Sequence, residues 1–567
     1  MCYFAKNFEG MISRYRFFSA LLLLLFLVQC AKRASPTGGP KDSIPPVLIN
    51  ASPKMNTVFF DKDEIRLTFN EFVKLKDVNK QLIISPPIER SKYTVNPTTG
   101  ASKKVVIKLL DSLIANTTYT FNFGESIQDF NEGNTSPYLT YTLSTGAQID
   151  SLYVRGKVDD AFEEFPESFI SLQLYPIDST HTDSTIYHKK PFFVTSTLDT
   201  TLYKFQNIRA GKYQLIALED VAGNYLFDQN VDKIGFLEHP IELPQDSIIN
   251  LRLFKEKTNF AWEGPTFIND HHIALAYFGA YEEQAFRMVS EVPDDFEFLV
   301  TKDREKDSLN YWFNSGETVL DSLKFELEIL DTLRIKKVQF KNPIKDSLVI
   351  SAFTKGNLDL TQQFELQSNL PIVKTDSTQL RVFHLDTVPI PARFKIQENY
   401  DRIYVHFEVL PNDSYQIKLF PNALQDFWGH KHDTLSFKVR TKKIEDYGNI
   451  ALRLVNHYPE SPIIVQLLNN DKVVRYYDEK QAGNLYSFNM LSAGKYRIRL
   501  ILDTNGNKKW DTGNYLKKIQ PEEVIYFWKE IELRANWDMN ETFNTIQNYP
   551  DLPESATASV VLEVPDN

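Results

Sequence analysis

Cysteine is nearly absent from this chain of 567 residues, which contains only Cys2 and Cys30. Both precede the part of the sequence that shows regular hydrophobic patterning. The folded region therefore has no disulfide and no thiol nucleophile, so each of its domains must be stabilised by its own packed core. A disulfide framework and cysteine-based catalysis are both excluded.

The chain also lacks the short motifs of several enzyme classes. It contains no Gly-x-Ser-x-Gly, His-Glu-x-x-His, Gly-x-x-x-x-Gly-Lys or Gly-x-Gly-x-x-Gly. A pair of carboxylates for glycoside hydrolysis stays open, because acidic residues are spread along the chain and their pairing is three-dimensional. Solvated surface is the ordinary alternative for those acids.

Positive charge is in deficit. The formal net charge is −11, and residues 1–29 contribute three basic and one acidic side chain, so the chain from Cys30 onward carries about −13. A negative surface repels the phosphates of nucleic acids and the anionic headgroups of membranes. We therefore expect no nucleic-acid partner and no polybasic membrane face.

Long hydrophobic runs are missing too, except for one near the N terminus. Arg14 and Arg16 precede the apolar stretch 17–28, which is too short to span a bilayer comfortably and suits an export signal. The stretch ends in the sequence Leu-Val-Gln-Cys, whose last residue is Cys30. This ending resembles the lipobox of bacterial lipoprotein signals, although Gln29 stands where that family has Gly, Ala or Ser.

The resemblance implies that residues 1–29 form a signal peptide, with Met11 as a second candidate start, and that the thiol of Cys30 carries lipid. Residues 30–44 then form a Pro/Gly-rich spacer behind the lipid. We expect attachment to the outer membrane through this lipid. Because no acidic residue follows the cysteine in Ala31-Lys-Arg, we expect the periplasmic face rather than the cell surface. A plain signal peptide and an uncleaved anchor are the alternatives.

Helical periodicity is scarce, and residues 282–289 alone favour a short helix. From residue 45 onward, short runs alternate between apolar and polar side chains, as in 65–69 and 323–329. Alternation with a period of two predicts strands with one buried face. We therefore expect an all-β chain of tandem β-sandwiches.

The chain also repeats itself. The pattern Tyr-x-Phe, Ala-Gly-Lys-Tyr, Asp, Gly-Asn and Asp over 203–228 returns without a gap over 486–511, 283 residues later. A weaker repeat relates 118–145 to 414–441. These repeats predict five modules in the order A-B-C-A-B.

We name the modules A1, B1, C, A2 and B2, and they cover, in that order, residues 45–147, 150–256, 257–344, 345–443 and 446–538. Module C has no partner among the repeats but is also rich in strand patterns. Residues 539–567 are expected to form a loose tail.

Two family resemblances follow from these modules. A1 opens with Pro45-Pro46, continues with the alternating strand 65–71 and closes with Ser-Thr-Gly at 144–146. These features resemble the bacterial Ig-like domain of the S-layer (SbsA) type, and A2 keeps the strands without the proline pair. In B1, Ala210-Gly211 and the following strand resemble transthyretin-like or Cna-B-like sandwiches. The whole order looks like a multidomain outer-membrane lipoprotein of the Bacteroidota.

One loop of B2 has the spacing of a calcium-binding loop. Asp503, Asn505, Asn507 and Asp511 place side-chain oxygens at positions 1, 3, 5 and 9 of such a loop, which lacks the usual Gly at position 6 and Glu at position 12. The alternative is a solvated Asn-Gly turn between two strands. Calcium is the only cofactor that the sequence suggests, and no catalytic residue is predicted.

Two further sets of residues have a functional and a structural interpretation. Core or hairpin packing is the commoner fate of residues such as Trp262 and Trp428, and stacking on sugar rings is the functional alternative. His430 and His432 have the spacing of two metal ligands on a strand, but no third ligand accompanies them. Polar turn residues are the alternative for these histidines.

The sequence therefore favours a non-enzymatic, lipid-anchored cell-envelope protein that acts as a scaffold, spacer or protein-binding array. A glycan-binding accessory lipoprotein of an outer-membrane uptake system is the alternative. A hydrolase within module C is the third hypothesis. The fold alone does not decide among them, because β-sandwiches host many activities.

Overall fold

The structure is a computed structural model that describes residues 42–546, except 137, 199, 246–247, 259, 280, 282–285, 330–331, 342–346, 386 and 459. Cys30, the signal segment and residues 547–567 lie outside the described residues. The described helices are all short, namely Val78–Gln81 (α1), Thr185–His188 (α2) and the 3₁₀ segments Arg90–Lys92, Ser377–Gln379, Ile444–Asp446 and Ala482–Asn484. No helix among the described residues has the length and apolar character needed to cross a membrane.

The predicted all-β class is confirmed, and the alternation of the sequence is its cause. The apolar residues of the alternating runs point to one side of each strand, where they are at most 5% exposed, as at Ile65, Leu67, Phe69, Val105, Ile107, Leu109, Leu323, Phe325 and Leu327. Burial of such side chains stabilises each core by roughly 1.5–3 kcal/mol per residue.

Contacts divide the chain into two compact units. The first comprises residues up to 147 other than 83–87 and 118–120, and the second comprises those two short segments and everything from Gln148. The strands of module A1 are Leu48–Ser52 (β1), Glu64–Leu75 (β2), Ile83–Ser85 (β3), Tyr93–Asn96 (β4), Ser102–Leu109 (β5), Thr118–Asn122 (β6), Ile127–Asp129 (β7) and Thr140–Ser144 (β8). One sheet has the order β1-β2-β5-β4, with β7 also paired to β2, and a second sheet has the order β3-β6-β8.

Modules B1 and B2 have the same arrangement of strands. Those of B1 are Leu152–Asp160 (β9), Ser171–Pro176 (β10), Phe193–Ser196 (β11), Leu202–Ile208 (β12), Gly211–Glu219 (β13), Lys233–Phe236 (β14), Ile241–Leu243 (β15) and Leu251–Leu253 (β16). They form the sheets β11-β10-β13-β14, with β15 on β13, and β12-β9-β16. Strand β16 is parallel to β9, and all other pairs are antiparallel.

Module C forms two sheets that enclose an aromatic-rich core. Its strands are Ala261–Asn269 (β17), His272–Phe278 (β18), Phe286–Met288 (β19), Glu297–Lys302 (β20), Ser308–Asn314 (β21), Ser322–Ile329 (β22) and Thr332–Gln339 (β23). The sheet orders are β17-β18-β21-β20 and β19-β22-β23. Trp262, Tyr311 and Phe325 are buried in the core between them.

Module A2 follows the strand order of A1 in its first sheet. Its strands are Ile350–Ala352 (β24), Gly356–Leu358 (β25), Phe364–Ser368 (β26), Ile372–Thr375 (β27), Leu380–His384 (β28), Val388–Ile390 (β29), Ala392–Ile396 (β30), Arg402–Phe407 (β31), Ser414–Leu419 (β32), Leu424–Asp426 (β33) and Leu435–Thr441 (β34). The sheets have the orders β24-β26-β31-β30, β25-β34-β32-β28-β29 and β27-β33.

The strands of B2 repeat those of B1 one for one. They are Tyr447–Val455 (β35), Ile463–Asn469 (β36), Lys472–Tyr477 (β37), Leu485–Ser492 (β38), Gly494–Leu502 (β39), Val524–Tyr526 (β40), Ile531–Leu533 (β41) and Asp538–Asn544 (β42). The sheets β37-β36-β39-β40, with β41 on β39, and β38-β35-β42 match those of B1. The parallel pair recurs between β35 and β42, so the sequence repeat is a repeat of topology.

Two expectations about local structure are wrong. The short helix expected over 282–289 is replaced at its described residues by strand β19, because Phe286 pairs opposite Leu327 and packs on the core of C. The loose tail expected over 539–567 is wrong for its first residues, since β42 continues to Asn544. Phe543 of that strand is fully buried in the core of B2, which holds the strand in the sheet.

Candidate functional site

The four residues predicted for calcium lie together in the loop between β39 and β40. Asp503 is 1% exposed, and its carboxylate accepts the backbone N–H groups of Asn507 at 3.1 Å and Lys508 at 2.8 Å. Asp511 Oδ2 accepts from the side-chain amides of Asn505 and Asn507. The loop therefore supplies N–H donors to both carboxylates from its own residues.

A carboxylate that the sequence pattern did not include closes this loop. Glu522 is 7% exposed and accepts N–H groups from Thr504 at 2.6 Å and Asp511 at 3.0 Å. It lies beyond the nine-residue pattern, so the spacing gave no signal for it. Among the described residues, no group of three or more His, Cys, Asp or Glu side chains has the geometry of a metal site. Calcium binding at this loop stays a prediction.

The equivalent loop of B1 has the same clamp. Asp232 is 1% exposed and accepts N–H groups from Val221 at 3.0 Å and Asp228 at 2.8 Å. Burial raises the pKa of the preceding Asp220 despite its hydrogen bonds from Tyr225 and neighbouring backbone N–H groups. In both repeats, a buried carboxylate thus fixes the turn that follows the central strand.

The two loops differ by an insertion. Three residues separate Asp228 from the clamping Asp232 in B1, whereas ten residues separate Asp511 from Glu522 in B2. We call the segment 512–521 the insertion. Its backbone closes as a small hairpin through the reciprocal bonds between Asn514 and Ile519, at 2.8 and 2.9 Å.

The insertion contacts module B1. Tyr515 is 0% exposed and belongs to a cluster on the face of the β10-β13-β14 sheet opposite the B1 core, together with Tyr175, Ile216, Leu218, Ile234, Phe236 and Phe254. Its ring packs edge-on against Phe236 at 5.3 Å between centroids. Two hydrogen bonds reach B1 carbonyls, from Thr512 to Lys255 at 2.5 Å and from Gln520 to Phe236 at 3.0 Å.

A second contact joins B1 to the β36-β39-β40 sheet of B2. The guanidinium of Arg499, 4% exposed, lies 4.0 Å from the ring centroid of Phe162. Trp510 packs on the same ring at 4.7 Å, and Tyr526 donates to the carbonyl of Phe162 at 3.0 Å. A buried cation over an aromatic face contributes up to about 2 kcal/mol.

Several acids in this region have raised pKa values, and burial is the main cause at each. Burial raises the pKa of Glu256, whose carboxylate accepts the N–H of Tyr515, and the pKa of Glu164, which pairs with Arg497 at 2.5 Å. These carboxyls lie in contacts between modules rather than in an open cleft. Their perturbation is therefore explained by packing and does not indicate catalysis.

A polar cleft of about 230 Å³ lies between modules C and A2. Arg304 of C binds Asp401 of A2 through Nε at 2.8 and 2.9 Å, and Asn310, Trp312 and Asn399 also line the cleft. The carboxylate of Asp401 is already bound by the guanidinium of Arg304, so the cleft does not present it to a ligand as one of the two facing carboxyls of a glycosidase. The hydrolase hypothesis for C gains no support from this arrangement.

The tryptophans and histidines singled out in the sequence pack against, or form hydrogen bonds with, other residues of the protein. Trp262 is 3% exposed and lies in the core of C, so core packing rather than sugar stacking is confirmed for it. Trp428 of A2 donates to the carbonyl of Phe313 of C at 3.0 Å. His430 contacts Asp426 at 2.9 Å, and His432 Nε2 accepts the N–H of Leu424 at 3.2 Å. These two histidines belong to a turn.

Comparison with known families identifies one of the modules. Residues 42–145 match the family model of the bacterial Ig-like domain. The chain is therefore a multidomain β-sandwich protein that contains a bacterial Ig-like domain at the position expected for A1. No curated protein matches the sequence.

Solved structures with some similarity include a Bacillus anthracis protein, a pilin subunit and an S-layer protein. The Bacillus anthracis TIE protein is 10% identical over 90% of this chain and 76% of its own, with a TM-score of 0.14. The major pilin subunit BcpA of Bacillus cereus is 9% identical over 70% and 99%, with a TM-score of 0.14. The S-layer protein SbsC is 10% identical over 70% and 67%, with a TM-score of 0.16. At these TM-scores, the likeness carries no argument about function.

Proposed function

We propose that this protein is a non-enzymatic scaffold or spacer of the bacterial cell envelope that binds protein partners. The proposal rests on one observation: the residues with the chemistry for binding or catalysis hold loops, turns and module contacts together. Asp503, Asp511 and Glu522 close a loop, His430 and His432 fix a turn, and Trp428 joins two modules. The bacterial Ig-like domain at 42–145 agrees with such a role.

We further propose that the protein is anchored through lipid on Cys30, at the periplasmic face of the outer membrane. The support is the sequence alone: a short apolar run that ends at the cysteine, followed by a Pro/Gly-rich spacer. Two or three acyl chains give stable attachment, whereas one chain gives only marginal binding.

Mass spectrometry of the mature N terminus tests the anchor. We expect an acylated peptide that begins at Cys30, and we expect Cys30→Ser to move the protein out of the membrane fraction. An acyl-free N terminus in the parent protein would overturn the anchor. Protease treatment of intact cells tests the side of the membrane, because degradation of the protein would place it at the cell surface.

The scaffold role is tested separately by crosslinking in intact envelopes. We expect a reproducible set of protein partners that also crosslinks to the Cys30→Ser variant when that variant is kept in the same compartment. Failure to crosslink any envelope protein, combined with retention on polysaccharide columns, would overturn the scaffold proposal in favour of glycan binding.

One observation favours glycan binding as the second candidate function. The cleft between C and A2 is lined by Asn310, Asn399, Trp312 and the Arg304–Asp401 pair. Its volume of about 230 Å³ lies below the range of about 300–1,000 Å³ that drug-sized ligands occupy, so it suits one small ring. Its three basic and three acidic side chains balance, which favours a neutral polyhydroxylated ligand over an anion.

Calorimetric titration with neutral oligosaccharides tests this candidate. We expect Asn399→Ala to weaken binding at least about tenfold, because a buried hydrogen bond to the ligand is lost. Asn357→Ala, on strand β25 and outside the cleft, is the matched control and should bind like the parent. Equal binding by both variants would show that the cleft is not the sugar site.

A further inference from the structure

The insertion is the main departure of B2 from its own repeat. Ten residues occupy the place of Gln229, Asn230 and Val231 of B1, and the flanking clamps are otherwise alike. The core of B2 does not include Tyr515, which belongs instead to the cluster on B1. The insertion therefore adds a contact with another module rather than completing its own sandwich.

We propose that the insertion is an intramolecular clasp that docks B2 onto B1 and closes the chain over modules C and A2. A scaffold needs only a series of sandwiches. The clasp is therefore a property in addition to the proposed scaffold function. In the clasped protein, modules C and A2 form a segment of about 190 residues whose two ends are held together by the contact between B1 and B2.

The insertion has the features of a specific docking element. The two Asn514–Ile519 bonds restrain the segment from within, and restraint of this kind lowers the entropy cost of binding. Tyr515 is a fully buried aromatic anchor, and Lys518 covers its ring at 3.9 Å while pairing with Asp183 of B1 at 2.7 Å. Hydrogen bonds to two B1 carbonyls fix the register of the contact.

A glycine permits the close approach. A Cβ at Gly513 would lie 2.7 Å from the ring of Phe254 in B1 and 2.6 Å from the carbonyl oxygen of Ile519. Such distances are shorter than carbon contacts allow, so the hairpin can reach the B1 surface only if this position has no side chain. The insertion thus fits this particular surface.

Tethering strengthens the contact further in the intact chain. B1 and B2 belong to one chain, so their effective concentration far exceeds that of two free proteins. The Arg499–Phe162 stack and the Arg497–Glu164 pair extend the same contact beyond the insertion. Closure therefore does not depend on Tyr515 alone, but the anchor residue is expected to dominate it.

Cleavage of the folded chain tests the clasp. A protease recognition sequence inserted after Thr258, between B1 and C, allows the purified full chain to be cut into two fragments. We expect the fragments of the parent protein to co-elute in size-exclusion chromatography, because the clasp still joins B1 to B2. Replacing 512–521 by Gln-Asn-Val, the sequence of B1 at this place, should release them.

Point variants separate the clasp from a general loss of folding. Tyr515→Ala should raise the dissociation constant of the cut fragments at least about 30-fold, as expected for a buried aromatic hot spot. Tyr515→Phe should bind like the parent, since no described residue forms a hydrogen bond with the Tyr515 hydroxyl. Tyr476→Ala, at an exposed tyrosine of B2, is the matched control.

Two outcomes would overturn the proposal. Separation of the parent fragments at micromolar concentration would show that B1 and B2 do not hold together. Co-elution of the fragments in both the replacement variant and Tyr515→Ala would show that the insertion is not the clasp. Circular dichroism of each uncut variant verifies that its sheets are intact before cleavage.

Discussion

Single buried carboxylates organise the turns of this protein. Asp129, 1% exposed, accepts backbone N–H groups from Glu132, Gly133 and Asn134 at 2.7–3.1 Å. Asp426, its counterpart in A2, accepts from Trp428 and His430. A carboxylate can serve several N–H donors at once, and an aspartate placed after a strand therefore specifies the turn that follows.

Asp129→Asn is expected to destabilise the first unit by about 1–3 kcal/mol at pH 7, because one oxygen acceptor becomes an N–H₂ group. Burial raises the pKa of Asp129, but the N–H hydrogen bonds outweigh it and leave the pKa below 3.8. The stabilisation is therefore present above the ordinary pKa of an aspartate and is lost as the pH falls through the lower folded value. Thermal unfolding from pH 7 to pH 3 measures it; the gap between parent and variant should shrink at acid pH. Asp111→Asn, at an exposed ion pair, serves as the control.

If the loop at Asp503 binds calcium, we expect the ion to stabilise module B2 and not B1. Millimolar calcium should then raise the unfolding temperature of the parent, and Asp511→Asn should abolish the shift because a carboxylate ligand is removed. Asp228→Asn in the first repeat is the matched control and should keep the shift. An unchanged unfolding temperature in the parent protein would leave the loop as an Asn-Gly turn closed by its own N–H donors.

Arg499→Ala is expected to lower the stability of the second unit by about 2–4 kcal/mol, since it removes a buried stack on Phe162 and hydrogen bonds to Gln466 at 2.7–2.9 Å. Arg499→Lys should recover little, because a lysine lacks the planar group. Chemical denaturation followed by tryptophan fluorescence measures the change. Arg534→Ala, with a side chain 63% exposed, should be close to neutral; an equal loss at both positions would contradict the stacking argument.

At the scale of single elements, strand β23 of module C has an open edge, which is a site where a strand of another chain can pair. Among the described residues it pairs only with β22. Arg334 and Lys336 lie opposite Leu327 and Phe325, on the side of the sheet where Val338 is buried. Charged residues on the inward side of an edge strand disfavour pairing with another chain.

Replacing Arg334 and Lys336 together by valine is expected to cause self-association, because the strand then presents a continuous apolar side along an unpaired edge. Multi-angle light scattering at increasing concentration measures it. The double glutamine variant keeps the side polar and should remain as dispersed as the parent. Equal behaviour of the valine and glutamine variants would show that these charges do not guard the edge.

The sequence predicted elements better than contacts between them. Alternation identifies strands such as 323–329 because burial of one face leaves a period of two, and the 283-residue repeat predicts the shared topology of B1 and B2. The sequence did not predict the contacts of Glu522 or the role of Tyr515, because both depend on residues that meet only after folding. The sequence left Trp262 open between sugar stacking and core packing, because an isolated tryptophan carries no pattern that reports its burial.

At the scale of the whole molecule, the second unit is joined by contacts between modules as well as by its cores. Trp428 of A2 packs against His271 at 5.4 Å and Trp312 at 6.0 Å, both in C. The hydroxyl oxygen of Tyr447 in B2 accepts the backbone N–H of Leu360 in A2 at 3.1 Å. Together with the B1–B2 contact, these junctions favour coupled unfolding over independent unfolding of each sandwich.

Trp428→Ala is expected to loosen C from A2 by about 2–4 kcal/mol, because a large aromatic contact and the bond to the Phe313 carbonyl are both lost. Limited proteolysis of the link between Lys341 and Leu348 measures the loosening, and cleavage should become at least several-fold faster. Trp428→Phe keeps part of the ring packing without the N–H donor, so its rate should lie between those of parent and alanine variant. Trp528→Ala, at a partly exposed tryptophan of B2, is the control. If the alanine variant at 428 is cut no faster than the parent, the C–A2 junction does not hold the two sandwiches together, and the polar cleft that lies at this junction loses its rigid frame.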